Sequence, residues 1–370
     1  MAISAFSPFK IVDLSTHIAG PFSTKWLADY GADVIKVEPI EGDLSRSSGP
    51  FFGDDPNPEK SLLFFYLNCN KRGITLNLES DPGRELLLKL IRDADVLVES
   101  FRPGYLENLG LGYKDLSAIN PKLVMASITP FGQDGPYRDY VGNDLIYYAM
   151  SGIMYTSGAH DREPLKHGHP QSYYMAGITA AYSIAAALFS QQMTGRGQHI
   201  DLSLHETVTT HEYASTARYV YTGTIERRAP KIEGGSFKGI KFEGIVPVED
   251  GYISPSIQKG RPRVPFSEFA ELIERPDLDN SRFANRELIQ ENAAEMDDVL
   301  LPILEEWKKF DYFNKAMAEG YVTGVVQTPE DLLNCPQMEE RGFYTEVEHP
   351  VIGKIKIPGE IFRLPECPWE

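Results

Sequence analysis

The alternation of short apolar strands with amphipathic helices through the first third of the chain constrains its fold more than any other feature. KIVDLS is a short apolar run, FSTKWLADYG is amphipathic and stops at a glycine, and ADVIKVE is again strand-like. Strand, helix and strand in that order build a parallel βαβ unit, because parallel neighbours need a crossover connection. The pattern recurs as RGITLNL, DPGRELLLKLIRDA and DVLVES, with Asp81 read as the helix N-cap and Pro82 in the first turn. PKLVMASITPFG supplies a further apolar strand. A parallel sheet with both faces covered by helices, the α/β class, follows.

Further along, DLIYYAMSG and the Ala-rich YYMAGITAAYSIAAALFSQQ carry a strong helical signal. Polar side chains interrupt the second stretch, so it reads as a buried helix rather than a membrane span. HIDLSLHETV reads as a strand running into a helix. TGTIERRAPKIEGGSFKGIKFEG is rich in Gly, Lys and Arg and reads as a linker or loop into a second domain. GIVPVEDGYISPSI has a hairpin signature at Glu249, Asp250 and Gly251, and helical stretches follow it. The expected organisation is a large α/β domain over residues 1–220, a small α+β domain over 225–325, and a C-terminal segment, 330–370, that rejoins the large domain.

Net charge narrows the possible partners. A formal charge of −17 argues against nucleic acid, whose binding rests on clustered Lys and Arg, although a locally basic site still admits an anionic nucleotide or CoA. Cys69, Cys335 and Cys367 are far apart and form neither a disulfide framework nor a cysteine zinc site, which fits a reducing, cytoplasmic setting. The N-terminal MAISAFSPFKIVDLS has no secretory pattern, and no run of about 18 apolar residues calls for a membrane.

No widespread catalytic motif carries the chemistry: Gly-x-Ser-x-Gly, a Walker loop and His-Glu-x-x-His are absent. Ala19, Gly20 and Pro21 follow the first strand and put backbone amides near a helix start, where an anion can sit; a plain βα turn has the same sequence. His160, His167 and His169 lack the spacing of a metal site, and no metal is expected.

Five segments, IVDLSTHIAGPFSTKWLADYGADVIKVEPIEGDLSR, NCNKRGITLNL, DVLVESFRPGYLENLGLGY, DLIYYAMSG and TGRGQHIDLSLHE, resemble the successive blocks of the class III (CaiB/BaiF-type) CoA-transferases in order and spacing. The resemblance implies a Rossmann-like large domain, a small domain, and two chains interlocked as linked rings. It implies coenzyme A or acyl-CoA as substrate, with Thr16, His17, Ala19, Leu76, Phe101 and Arg102 on or near the nucleotide. Lys71, Arg72 and Arg102 are candidates to pair with its phosphates, with ordinary surface ion pairs as the lesser reading of the two arginines. Pro39 and Glu79 stand where the family carries basic contacts, so CoA affinity is expected to be weak.

The same resemblance places the family's nucleophilic Asp four residues before the glycine that opens the Ala-rich helix. Here that glycine is Gly177 and the residue is Tyr173, with Thr194 to Gln198 (TGRGQ) fixing the register. Attack on a thioester to give a mixed anhydride needs a carboxylate, and a phenol cannot form one. Nearby, Asp161 and Glu163 read as a polar turn and Asp144 as a helix N-cap. Related racemases use a Gly-His-Asp motif, here Gly142, Asn143 and Asp144, together with the Asp replaced by Tyr173, so both halves of their acid/base pair are missing. The implied role is a subunit without the nucleophile, paired in a heterodimer or heterotetramer with a homologous Asp-bearing subunit, as in the succinyl-CoA:benzylsuccinate type. A CoA-binding protein without chemistry and an active homodimer with an unfamiliar nucleophile are the alternatives. Tyr147, Tyr148, Tyr155, Tyr173 and Tyr174 form an aromatic strip that suits either an aryl acid or the core.

Overall fold

The computed structural model describes residues 4–159, 162–228, 242, 244–259, 264–278 and 281–369. Strand β1 (Lys10–Asp13), helix α1 (Ala19–Asp29), β2 (Asp33–Glu38), α2 (Leu62–Asn68) and β3 (Lys71–Thr75) form the first half of a parallel sheet. The second half is built from α3 (Asp81–Asp93), β4 (Val96–Glu99), α4 (Tyr105–Asn108), α5 (Tyr113–Ile119) and β5 (Val124–Thr129). Then come α6 (Asp144–Met150), α7 (Ile153–Thr156), α8 (Gln171–Thr194), β6 (His199–Ser203), α9 (Leu204–Thr209) and α10 (Tyr213–Thr222).

The six strands pair in the order β3-β2-β1-β4-β5-β6, all parallel. Strands β4 and β5 are buried along their whole length, as a sheet covered on both faces requires. One face packs Ala28, Val96, Val98, Ala180 and Ile184, and the other packs Leu87, Ile91, Leu97, Leu116 and Met125. The chain reverses direction across the sheet between β1 and β4, so the crevice beyond their C-terminal ends is the place where this architecture binds ligands.

Two helix starts differ by one residue from the sequence reading. Ser80, not Asp81, caps α3, because its hydroxyl reaches the Gly83 amide at 3.2 Å while Asp81 turns to Arg84. Asn143, not Asp144, caps α6 through the Ile146 amide at 3.1 Å, which frees the Asp144 carboxylate for another use.

Helix α8 is long and apolar enough to cross a membrane by length and composition. Its small residues Ala176, Gly177 and Ala180 instead pack inward, and a Cβ at Gly177 would stand 2.8 Å from the Ala19 carbonyl oxygen. The helix is buried on one side rather than all round: Ile178, Tyr182, Phe189 and Met193 are exposed on the other.

The chain divides into two units, the first made of the described residues of Met1–Thr156, Leu165–Glu226 and Arg341–Glu370. The C-terminal part of this unit holds the antiparallel pair β10 (Tyr344–His349) and β11 (Gly353–Pro358), after which Phe362 stacks on Tyr30 at 4.5 Å. The second unit, Ser157–Pro164 with Arg227–Glu340, has its own core around Phe242, Phe269, Met296 and Leu300. Its antiparallel strands β7 (Val246–Val248), β8 (Gly251–Ser254) and β9 (Gly324–Val325) include the hairpin at Glu249 to Gly251. Helices α11 (Phe266–Leu272), α12 (Arg286–Glu291), α13 (Ala293–Glu305), α14 (Lys309–Ala318), α15 (Pro329–Leu333) and α16 (Pro336–Glu340) complete it. Most of the segment read as a linker, 229–241 and 243, lies outside the described residues, as do His160 and Asp161.

Candidate active site

The loops after β1 and β4 meet at the sheet's switch point, where the Thr16 amide donates to the Ser100 hydroxyl at 2.9 Å. The Thr16 hydroxyl in turn accepts from the Leu44 amide at 3.3 Å, and the His17 amide donates to Asp43 at 3.2 Å. His17 holds a left-handed backbone with φ of 71°, a conformation a non-glycine residue adopts only where its surroundings impose it. Burial of the imidazole lowers its pKa, partly opposed by Asp43, so the neutral ring is favoured.

Beneath the turn lies a buried network of charges. Asp13 accepts from Ser15, from the Thr24 hydroxyl at 2.6 Å and from the Lys71 ammonium at 3.1 Å, while Lys36 pairs with Asp43 at 2.9 Å. Burial works against the Asp13 carboxylate, but Lys36, Lys71 and these hydrogen bonds outweigh it and hold its pKa at about 2. The network ties the end of β1 to the middle of β2 and the start of β3 beneath the turn.

A cavity of about 480 Å³ opens between the loops following β1, β2, β3 and β4. Thr16, Leu76 and Phe101 from the sequence-derived set line it, with Leu14 and Val37 adding apolar surface. Phe101 and Tyr105 form a tilted aromatic pair with centroids 4.7 Å apart. Pro39 and Glu79 both line this cavity, Glu38 and Glu41 join them, and its walls include no Lys or Arg. Such a cavity suits a flat apolar ring and repels phosphate near its rim.

Lys71 and Arg72 are not brought to the cavity. The Lys71 side chain is 1% exposed and also donates to the Pro21 carbonyl at 2.8 Å, so its charge is spent on the buried network. Arg72 makes a bidentate pair with Asp33, the first residue of β2, at the opposite end of the strands. Arg102 is exposed, lies beside Phe101, and its guanidinium makes no hydrogen bond or ion pair among the described residues.

The loop carrying Phe101 is held from below by a residue that the sequence reading did not single out. The Phe101 amide donates to Glu99 at 2.7 Å; opposite Glu99 on β5 stands Ser127, whose hydroxyl lies 2.8 Å from His199 Nε2. Burial pushes the Glu99 carboxyl up to about 7, opposed in part by Ser127 and the Phe101 amide. A Glu closing an otherwise apolar strand, DVLVE, was the available signal.

Tyr173 sits in the first turn of α8, its ring edge-on to His17 at 4.8 Å and to Tyr147 at 5.9 Å. Burial raises the pKa of both phenols, so Tyr173 stays protonated and keeps its own O–H to donate. Ala19 is buried at the start of α1, where α8 crosses closest. Of the strip of tyrosines, Tyr147 and Tyr148 belong to the core, Tyr173 and Tyr174 are half-buried, and Tyr155 is exposed.

The carboxylates near Tyr173 are accounted for. Asp144 accepts from the Ser172 amide at 3.0 Å and the Ser172 hydroxyl at 2.7 Å, and pairs with Lys166 at 2.8 Å. A carboxylate so engaged and buried is a poor nucleophile and serves to fix the start of α8. Glu163 belongs to the second unit and is exposed. Among the described residues no group of His, Cys, Asp and Glu is placed to hold a metal ion.

Comparison with known proteins agrees with this arrangement. The sequence pattern of CoA-transferase family III matches residues 7–370. Subunit BbsE of succinyl-CoA:(R)-benzylsuccinate CoA-transferase from Thauera aromatica is 35% identical, over 99% of this chain and 89% of that one. Human succinyl-CoA:glutarate CoA-transferase is 31% identical, over 96% of this chain and 79% of that one. The crystal structure of a CAIB/BAIF family protein from Brucella suis superposes with a TM-score of 0.86 at 30% identity, covering 99% of this chain and 94% of that chain. With a Rossmann-type sheet, a ligand crevice at its switch point and a match along almost its whole length, the chain belongs to the class III CoA-transferases, enzymes that move CoA between an acyl-CoA and a carboxylic acid.

Proposed function

We propose that this chain is the subunit of a two-chain CoA-transferase that lacks the nucleophile, while a homologous subunit supplies the attacking Asp. The observation that carries the reading is Tyr173: the residue four before Gly177 is a half-buried, protonated phenol packed edge-on against Tyr147, and the nearby Asp144 is committed to Ser172 and Lys166. The chain's part is to seat acyl-CoA and shape the acyl end of the crevice. The nucleotide ring takes the cavity lined by Leu76 and Phe101, Thr16 and His17 frame the turn above it, and Arg102 is the cation free to meet a phosphate. The Tyr173 O–H is suited to donate a hydrogen bond to a carbonyl oxygen rather than to attack it.

Two further observations support a partner. A relative that matches 99% of this chain is itself named as a subunit. The exposed row Ile178, Tyr182, Phe189 and Met193 on α8, with Tyr219, Val220 and Tyr221 on α10, gives this unit apolar surface of the kind that subunit contacts cover, and interlocked rings would cover it. The test is purification from the native host with identification of every chain, followed by assay of CoA transfer from succinyl-CoA. The reading expects a homologous chain with Asp at the position of Tyr173. A homodimer that turns over would overthrow it in favour of an unfamiliar nucleophile, and a lone chain that binds CoA without chemistry would make it a binding protein.

A further inference from the structure

Behind the loop that carries Phe101, a file of polar side chains crosses three strands. Glu99 on β4 and Ser127 on β5 are register partners, and Asp201 follows on β6. Adjacent strands lie about 4.8 Å apart, so partners in register share a face of the sheet and stand side by side. His199 precedes Asp201 by two residues and shares that face, and its Nε2 lies 2.8 Å from the Ser127 hydroxyl. The other end of the file is fixed by the Phe101 amide, which donates to Glu99 at 2.7 Å. Glu99 and Ser127 are buried, whereas His199 is part-exposed and stacks on Tyr113 of α5 with centroids 5.3 Å apart.

A serine hydroxyl has a single hydrogen, which limits the file to two arrangements. If Ser127 gives its hydrogen to His199, the hydrogen between Glu99 and Ser127 has to be a proton on Glu99. If Ser127 gives it to a Glu99 carboxylate, His199 has to carry its proton on Nε2 and donate back. Passing from the first to the second, the Glu99 proton moves to Ser127 Oγ and the Ser127 hydrogen moves to His199 Nε2. The proton on the other ring nitrogen then leaves to water, so one proton is released and the imidazole stays neutral. The two ends therefore titrate as a pair. Burial favours the first arrangement, raising the Glu99 carboxyl to about 7 and lowering the His199 imidazole. Among the described residues, Glu107 of α4 and Asp201 are the charged groups that act on both ends, and both favour retention of the protons. Asp201 is itself held by the Gln133 amide at 3.0 Å.

The second arrangement places a negative charge against the Phe101 amide, beside a cavity that already carries Glu38, Glu41 and Glu79. That charge repels an anionic nucleotide. We infer that Glu99, Ser127 and His199 form a one-proton file that makes acyl-CoA affinity fall as pH rises, with His199 the positioning residue at its outer end. The inference rests on the nucleotide seat proposed above.

Calorimetric titration of the full chain with dephospho-CoA tests it, because this probe lacks the phosphate monoester that titrates near neutrality. Affinity should fall by about 5-fold from about pH 6 to about pH 8, and binding near neutrality should take up part of a proton, read from heats in buffers of different ionisation enthalpy. Glu99→Gln should abolish both effects, since the amide still accepts from Phe101 but cannot titrate. His199→Phe keeps the ring stack and leaves the Ser127 hydrogen always available to the carboxylate, so the midpoint should move down by about one pH unit. The ring-carbon resonances of labelled His199, read without ligand, should report a change of tautomer over the same range that Glu99→Gln removes. The wild-type measurements need no variant to fold. An affinity and proton uptake that are flat with pH in the wild type, a slope retained by Glu99→Gln, or a His199 ring indifferent to that substitution would overturn the inference and leave the seat standing. Absence of binding at every pH would overturn the seat and this coupling with it, so the two failures read differently.

Discussion

Glu99 shows how much one buried side chain can govern at the scale of the residue. It is 4% exposed, anchors the Phe101 amide and has its carboxyl pushed up to about 7. Below pH 4.5 the carboxyl is protonated in folded and unfolded chains alike; from there to about 7 the folded chain keeps a proton that the unfolded chain has released. Stability therefore falls as pH rises through that window, by about 3 kcal/mol for a shift of this size. Glu99→Gln should flatten the dependence and raise the melting temperature at pH 8, while the Gln oxygen still accepts from Phe101; an unaltered pH profile in chemical denaturation would refute this role. Tyr173 yields a second prediction. In the assembled enzyme, Tyr173→Phe should lower kcat by no more than about 10-fold, the loss of one donor rather than of a nucleophile. Asp substitution at the matching position of Tyr173 is the sharper variant: Tyr173→Asp, if it gains transfer activity in the lone chain, shows the rest of the crevice to be intact.

At the scale of the element, the close crossing of α1 and α8 is the joint on which the crevice depends. Gly177→Ala would place a methyl 2.8 Å from the Ala19 carbonyl and 2.9 Å from the Phe22 ring. Backbone cannot yield as a flexible side chain does, so we expect a loss of about 1–3 kcal/mol in urea denaturation together with weaker acyl-CoA binding; a variant as stable as wild type would contradict the crossing. The charge network under the first turn is the second joint. Lys71→Met leaves Asp13 buried with one cation fewer, and the expected cost is about 3–5 kcal/mol. The strands, the Ala-rich helix and the turn after β1 were all legible in the sequence, because period and glycine punctuation are local signals. The role of Lys71 was not, since its partner Asp13 is 58 positions away and only strand order brings them together. The caps of α3 and α6 were misplaced by one residue because two capping side chains stand side by side at each start.

For the whole molecule, the central claim is a division of labour: this chain holds CoA and the acid, and a homologous chain attacks. Weak CoA binding by the isolated chain follows from a cavity whose walls carry Glu38, Glu41 and Glu79 and no cation. The family and the parallel sheet could be read from five sequence blocks in order, whereas the exposed apolar side of α8 could not, because the sequence reading assigned that helix to the interior. The most direct test is the rate of CoA transfer from succinyl-CoA to a dicarboxylic acid, measured first with the purified wild-type chain alone and then after its homologous Asp-bearing subunit is added. The division of labour predicts no turnover from the lone chain, and turnover in the mixture that disappears when the partner's Asp is replaced. Robust turnover by the wild-type chain alone would contradict it.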